Sequence, residues 1–256
     1  MLPLIDTHCH IDLAQLEPER QDLLEAAWRS GIEAIVIPAI VAKDFDSLQS
    51  IAATDKRLVA GIGLHPLFLT QHSVADFERV SELAKTDAIS AVGECGLDYT
   101  REDSDKNAQK VLFAKHVALA VKCEKPLLIH ANKAVEDVVL TLQQHSGARG
   151  IVHSFNGSLQ QAERLIDLGF ALGFGGAVTY PRAKRLRQLV TQLPLQSIVL
   201  ETDAPFQTGF RHSGQTNQPA WIVEVLETIA ELRQQTTAEI AKATTATAAA
   251  IFTLEL

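Results

Sequence analysis

Six side chains of metal-ligand type stand at or near the ends of short apolar runs in this 256-residue sequence. Asp6-Thr7-His8-Cys9-His10 brings two imidazoles one residue apart. In an extended chain alternate side chains share a face, so His8 and His10 point together and Cys9 points away. Two imidazoles on one face can chelate a divalent ion. Glu94 follows Ala91-Val92-Gly93, His130 ends Pro126-Leu127-Leu128-Ile129, and His153 ends Gly150-Ile151-Val152. Asp203 follows Ile198-Val199-Leu200-Glu201-Thr202. A buried polar group with no partner costs roughly 2–7 kcal/mol even when neutral. Several such groups at the ends of successive runs make physical sense when they share metal ions. An isolated His-x-His pair is as readily two unrelated histidines; the recurrence of ligand types along the chain argues for chemistry. His65, in Gly63-Leu64-His65-Pro66, is a candidate for substrate or a further metal, and Asn132 and Lys133 follow His130 where substrate contacts belong. His116 lies beside Phe113 with helical spacing and reads as a packing residue, while His72, His145 and His212 fall in helix-end or loop sequence and read as solvated. Cys95, next to Glu94, should face away from it.

The elements that must carry these residues are short strands. Runs rich in Ile, Val and Leu occupy 4–11, 33–40, 58–64, 89–94, 126–131, 150–155, 170–175 and 197–202. Their length and continuous apolar character predict strands buried on both faces. The intervening stretches have helical periodicity, as in Leu23, Leu24, Ala27 and Trp28, or Leu112, Phe113, His116, Val117 and Ala120. Eight strands alternating with helices in this length predict an α/β fold, a single (β/α)8 TIM barrel spanning residues 1–256 as one domain. Residues 236–250, rich in Ala and Thr, predict an additional C-terminal helix packed on the barrel. Active sites of this architecture sit at the C-terminal ends of the strands, where all the candidate ligands fall. No G-x-G-x-x-G follows a strand, which argues against a dinucleotide-binding sheet.

The composition, 46% hydrophobic and 21% charged, predicts a globular chain with a sizeable core. The formal net charge of −8 argues against a broad basic surface for gripping nucleic acid. Bound divalent ions can still invert the potential locally, so phosphate substrates remain open. Cys9, Cys95 and Cys123 have no paired spacing and suit a reducing compartment. The first residues lack the basic start and apolar run of a signal peptide and no run of about 18 apolar residues occurs, so neither a leader nor a membrane span is expected. The expectation is a cytoplasmic protein with no membrane association and no obligate protein partner.

The segments IDTHCHID (5–12), GIGLHP (61–66), VGECGLDY (92–99), KPLLIHA (125–131), VHSFNGS (152–158), ALGFGG (171–176) and ETDAP (201–205) resemble the TatD family of metal-dependent deoxyribonucleases. The likeness is to its YjjV-type bacterial branch and spans nearly the whole chain. It implies two divalent ions per subunit, Zn, Mn, Ni or Mg. One would be held by His8, His10, Glu94 and Asp203, the second by Glu94, His130 and His153, with Glu94 bridging. His65 and Glu201 match positions that contact phosphate or a further metal in some relatives. The implied activity is cleavage of phosphodiester bonds, a 3′–5′ deoxyribonuclease reaction, with Glu94 and Asp203 as catalytic residues. Asp203 is the candidate to orient water and accept its proton.

The chain departs from the family pattern in its basic groups. Many relatives carry R-G-K-R-N-E-P where this chain reads Ser213-Gly214-Gln215-Thr216-Asn217-Gln218-Pro219, and Asn132 stands where an Arg is frequent. Lys133, Arg182 and Arg211 remain as possible substrate contacts. This favours short DNA, oligonucleotides or small phosphoesters as substrate. Two rival functions fit the residues less well. An amidohydrolase acting on a small non-nucleic substrate often bridges its metals with a carboxylated Lys, and the fourth strand offers Glu94 instead. A non-enzymatic barrel would have no need of a complete ligand set.

Overall fold

A computed structural model describes residues 2–255. Its strands are β1 (Leu4–Asp6), β2 (Ile32–Pro38), β3 (Leu58–Ile62), β4 (Ala91–Asp98), β5 (Leu127–Asn132), β6 (Gly150–Val152), β7 (Phe170–Phe174) and β8 (Ile198–Leu200). Its α-helices are α1 (Arg20–Arg29), α2 (Phe45–Ala52), α3 (Val74–Leu83), α4 (Lys106–Lys122), α5 (Val135–Leu142), α6 (Leu159–Asp167), α7 (Lys184–Gln192), α8 (Ile222–Arg233) and α9 (Thr237–Phe252). Strand and helix alternate and the sheet is parallel, so the fold class is the expected (β/α)8 barrel with a final extra helix. The chain divides into two compact units, residues 1–37 with 171–256, and residues 38–170. Among the described residues no helix is long and apolar enough to cross a membrane.

In the first unit β1 pairs with β2 and β7 with β8. The Thr7 amide donates to the Leu200 carbonyl at 3.0 Å, which joins the end of β1 to the end of β8. Leu4, Ile5, Ile35, Val36, Leu172, Ile198 and Val199 are buried, as continuous apolar strands require. Helix α9 packs on β1 and β8. It opens with a capping box in which Thr236 and Glu239 exchange side-chain-to-backbone bonds. Its Thr content has a use: Thr245 donates to the Pro3 carbonyl at 2.8 Å and Thr247 to that of Gln196 at 3.0 Å.

In the second unit β3, β4, β5 and β6 pair in sequence order. The register of β4 on β5 shifts between Val92 and Cys95. Gly93 lies there at φ +148°, and a Cβ on it would stand 2.4 Å from the Leu128 carbonyl oxygen. Only glycine permits that approach.

Several strands are shorter than the apolar runs. The runs extend the first strand through residues 7–11, the sixth through 153–155 and the eighth through 201–202, yet β1 ends at Asp6, β6 at Val152 and β8 at Leu200. Past Asp6 the backbone is held by single bonds instead of a ladder: the Cys9 amide donates to Val36 at 3.0 Å and that of His10 to Ala204 at 2.8 Å. His8, His10, His153 and Asp203 lie on or just past these irregular extensions, whereas Glu94 and His130 lie inside β4 and β5.

His116 is the packing residue expected, and it also makes two specific bonds. It is fully buried in α4; one ring nitrogen bonds the Leu112 carbonyl at 2.9 Å, and the other accepts the Leu64 amide at 3.2 Å. A neutral imidazole satisfies both bonds. Burial lowers its pKa to about 4, against a smaller rise from the Leu112 bond and a further lowering by His72. A depressed histidine contributes stability that is present above its ordinary value of 6.5 and lost as pH falls through the folded value near 4. Chelator-treated protein should therefore lose up to ~3 kcal/mol more stability between these limits than a His116→Gln variant, measured by denaturant unfolding. Parallel pH curves for the two proteins would refute this.

Candidate metal centre

The first unit gathers His8, His10 and Asp203. The two Nε2 atoms are 3.3 Å apart, and Asp203 Oδ1 lies 3.7 Å from that of His8 and 3.4 Å from that of His10. Donors about 2.1 Å from a tetrahedral ion stand roughly 3.4 Å from one another, so this trio fits a single ion of the Zn type. All three residues are buried. Asp203 adopts φ +55°, a conformation short polar residues tolerate. Its backbone amide donates to the His8 carbonyl at 2.8 Å, and its Oδ2 accepts from Gln207 Nε2 at 2.6 Å.

Asp6 ties this trio together from behind. Its carboxylate accepts the Thr202 hydroxyl at 2.6 Å, the Thr202 amide at 3.0 Å and the His8 amide at 3.3 Å. Burial raises the Asp6 pKa to about 7, although the bonds from Thr202 and His8 pull it back. Asn217 holds the same segment from the other side, donating to the Thr202 carbonyl at 2.8 Å and to that of Phe206 at 2.7 Å. Glu201 is buried beside β7, and a Cβ on Gly173 would stand 2.0 Å from its Oε2.

The second unit gathers His65, Glu94, His130 and His153. Glu94 Oε1 lies 3.1 Å from His65 Nε2, 3.2 Å from His130 Nδ1 and 3.0 Å from His153 Nε2. The ligand atoms of His65, Glu94 and His130 lie within 4.8 Å of one another, a spacing able to hold an ion. The opposite nitrogen of His130, Nε2, bonds Asp98 Oδ2 at 2.7 Å. That is the outer carboxylate that commonly orients a metal-binding imidazole. Burial would lower the His130 pKa, but bonds to Asp98 and Glu94 overrule it and raise it to about 9. Burial would raise Asp98, but bonds from His130 and Thr100 hold it at about 2. In the metal-free protein His130 is therefore drawn toward imidazolium, and an ion at Nδ1 must displace a proton.

The other sequence candidates have definite places. Asn132 ends β5 with its side chain exposed, and Lys133 follows at φ +53°. The Arg211 guanidinium is engaged by Glu227 at 2.5 Å, and its amide by Glu224 at 2.9 Å. The Cys9 and Cys95 thiols face the Ala204 and Leu128 carbonyls, each at 3.7 Å, consistent with turning away from the ligands. His72, His145 and His212 are not simply solvated. All are half-buried; His72 bonds the His65 carbonyl at 2.9 Å, His145 the Thr141 carbonyl at 2.9 Å, and His212 stacks on Trp221 at 3.8 Å.

Asp6, Asp98 and Asn217 escape a reading of the sequence. Alternation along β4 is the available signal for Asp98, since Glu94, Gly96 and Asp98 share a face. A Cβ on Gly96 would stand 2.1 Å from the His130 carbonyl oxygen. Nothing comparable points to Asp6 and Thr202, which are 196 residues apart.

The family described as TatD related DNase matches residues 5–253. The metal-dependent hydrolase YjjV of Escherichia coli (strain K12) is 37% identical over 242 residues, 93% of each chain. The metal-dependent hydrolase YabD of Bacillus subtilis (strain 168) is 34% identical over 251 residues, 97% of this chain and 98% of its own. The crystal structure of E. coli YjjV, described as a TatD homologue, matches with a TM-score of 0.95 at 34% identity over 98% of both chains.

The Asp98 arrangement gives a test. Asp98→Asn should weaken metal uptake by about 10–100-fold, the usual effect of losing an outer-shell partner. Titration against a metal-chelating dye measures it, with thermal unfolding confirming the fold. Unchanged affinity would show that His130 needs no such support.

Proposed function

The chain belongs to the TatD-related DNase family and is a metal-dependent hydrolase; from that premise we propose that it cleaves phosphodiester bonds with two divalent ions, as a 3′–5′ deoxyribonuclease acting on short strands. The observation that carries this reading is Glu94, whose Oε1 stands 3.0–3.2 Å from three imidazoles. One carboxylate oxygen among three nitrogens is a donor set for transition metals more than for Mg. Family membership implies that Glu94 serves both ions, the first with His8, His10 and Asp203, the second with His130 and His153. His65 joins Glu94 closely enough to serve as a further ligand or a phosphate contact, and Glu201 takes the same part in the first unit.

When bound, such ions lower the pKa of a water and polarise a phosphoryl oxygen. The chain's own residues supply the rest. Asp203, whose Oδ1 faces the two imidazoles, would orient the attacking water and accept its proton, while Gln207 fixes the carboxylate by donating to Oδ2. Asp98 keeps His130 with Nδ1 turned toward Glu94. Asn132 and Lys133 follow His130 at the open end of β5 and would meet substrate. The cytoplasm, with its reduced thiols, suits the buried free cysteines Cys9 and Cys95.

Elemental analysis after mild metal loading should find about two transition-metal ions per chain, as a two-metal hydrolase needs. Less than one equivalent would oppose the reading. Glu94→Gln should keep the fold and lose activity on short oligonucleotides by more than the roughly 100-fold typical of an outer-shell loss. A screen with single-stranded DNA, dinucleotides and phosphomonoesters measures this, and near-normal turnover at saturating metal would overturn it.

A further inference from the structure

A groove of about 830 Å³ opens in the first unit beside Asp203, lined by Tyr180, Arg182, Gln207, Thr208, Gln215 and Thr216 among others. That volume lies within the roughly 300–1,000 Å³ usual for small-ligand sites. Gln207 is shared between the groove and the candidate ligand Asp203, whose Oδ2 it bonds at 2.6 Å. The walls are tied to each other. The Tyr180 hydroxyl donates to the Thr208 carbonyl at 3.2 Å, and the Thr208 hydroxyl to that of Gln215 at 2.7 Å. Next to the groove Phe206, 48% exposed, meets the His10 ring edge-on at 5.9 Å.

The stretch that supplies one wall of this groove is unlike the rest of the chain in charge. Residues 168–200 contain no Asp or Glu, and Arg182, Lys184, Arg185 and Arg187 crowd the middle of that stretch, in a sequence whose net charge is −8. Arg187 donates to the Val178 carbonyl. Arg182 is exposed, lines the groove, and places its guanidinium carbon over the Tyr180 ring, 5.2 Å from the ring centre. No described carboxylate forms an ion pair with it. The ring holds the guanidinium at the groove wall, and a guanidinium with no carboxylate partner is the group that binds phosphate bidentately.

We propose that this groove is a nucleotide subsite: it takes the nucleotide next to the scissile phosphodiester of a short single strand, with Arg182 holding that nucleotide's own phosphate. The proposal rests on the phosphodiesterase reading for its orientation toward Asp203. The amides of Gln207 and Gln215 and the hydroxyls of Thr208 and Thr216 suit a sugar and a base edge, and exposed Phe206 offers a face for stacking. A single phosphate-binding arginine, where many relatives place a basic loop at 213–219, fixes the substrate class. Affinity should rise when a second phosphate is added to a dinucleotide and then level off, since Arg182 is the one charged side chain among the described residues that line the groove.

The test uses the metal-loaded chain and thymidine dinucleotides with a hydrolysis-resistant phosphorothioate linkage, with and without a terminal phosphate. Equilibrium binding should favour the phosphorylated probe by about tenfold, the effect of one charge-assisted contact. Arg182→Gln should erase that preference and lower the salt slope for the phosphorylated probe by about one, while Arg182→Lys restores part of it. A preference that survives in Arg182→Gln, or none in the unaltered protein, overturns the subsite. Competition by inorganic phosphate at the same concentration as the dinucleotide would reduce it to a bare anion site and overturn the nucleotide assignment. A chain that shows the Arg182-dependent preference yet cleaves no phosphodiester would sink the hydrolytic reading and leave the subsite standing. Arg182 is on the surface, so thermal unfolding should be unchanged and a folding defect would be seen directly.

Discussion

A carboxylate removed from water must be met by positive charge, and Glu94 is almost wholly buried. Three imidazoles surround one of its oxygens, and much of the second unit's local structure serves that encounter. Gly93 lets the backbone turn the carboxylate inward past Leu128; Gly96 lets β4 close on His130; Asp98 sets which nitrogen of His130 faces Glu94. Without an ion, the bonds from Asp98 and Glu94 hold His130 well above the usual histidine range. An ion at its Nδ1 replaces a proton already drawn there, so metal affinity should be coupled to pH by the same carboxylates that orient the ring.

The fold and most of the ligands are legible in the sequence because their signals are local. Continuous apolar runs announce strands of a parallel sheet, and a polar ligand type ending such a run is hard to explain otherwise. The His8–His10 alternation holds even though β1 stops at Asp6: the two Nε2 atoms meet at 3.3 Å while the Cys9 thiol faces the Ala204 carbonyl. What cannot be read is set by distant partners. Asp6 looks like any acid before a histidine until Thr202 arrives beside it, and the half-buried places of His72 and His212 depend on the His65 carbonyl and on Trp221. Strand ends are overestimated where apolar composition runs on after the ladder has stopped.

The segment 213–219 divides by role. Its first residues, Ser213 to Thr216, lack the charge common in relatives, and Gly214, Gln215 and Thr216 line the groove. Its last residues support the fold, since Asn217 bonds the Thr202 and Phe206 carbonyls and buried Pro219 leads into α8. Arg211 is already paired on the surface with Glu227. Groove lining and support of the Thr202 backbone are thus separate within seven residues.

The first unit is assembled from both ends of the chain, whereas residues 38–170 are continuous. Chains emerge from the ribosome at about 5–20 residues per second, so the 196 residues between Asp6 and Thr202 correspond to roughly 10–40 s of synthesis. During that interval Glu94, His130 and His153 can already have met. His8 and His10 must wait on the nascent chain as a two-donor fragment until Asp203 is made.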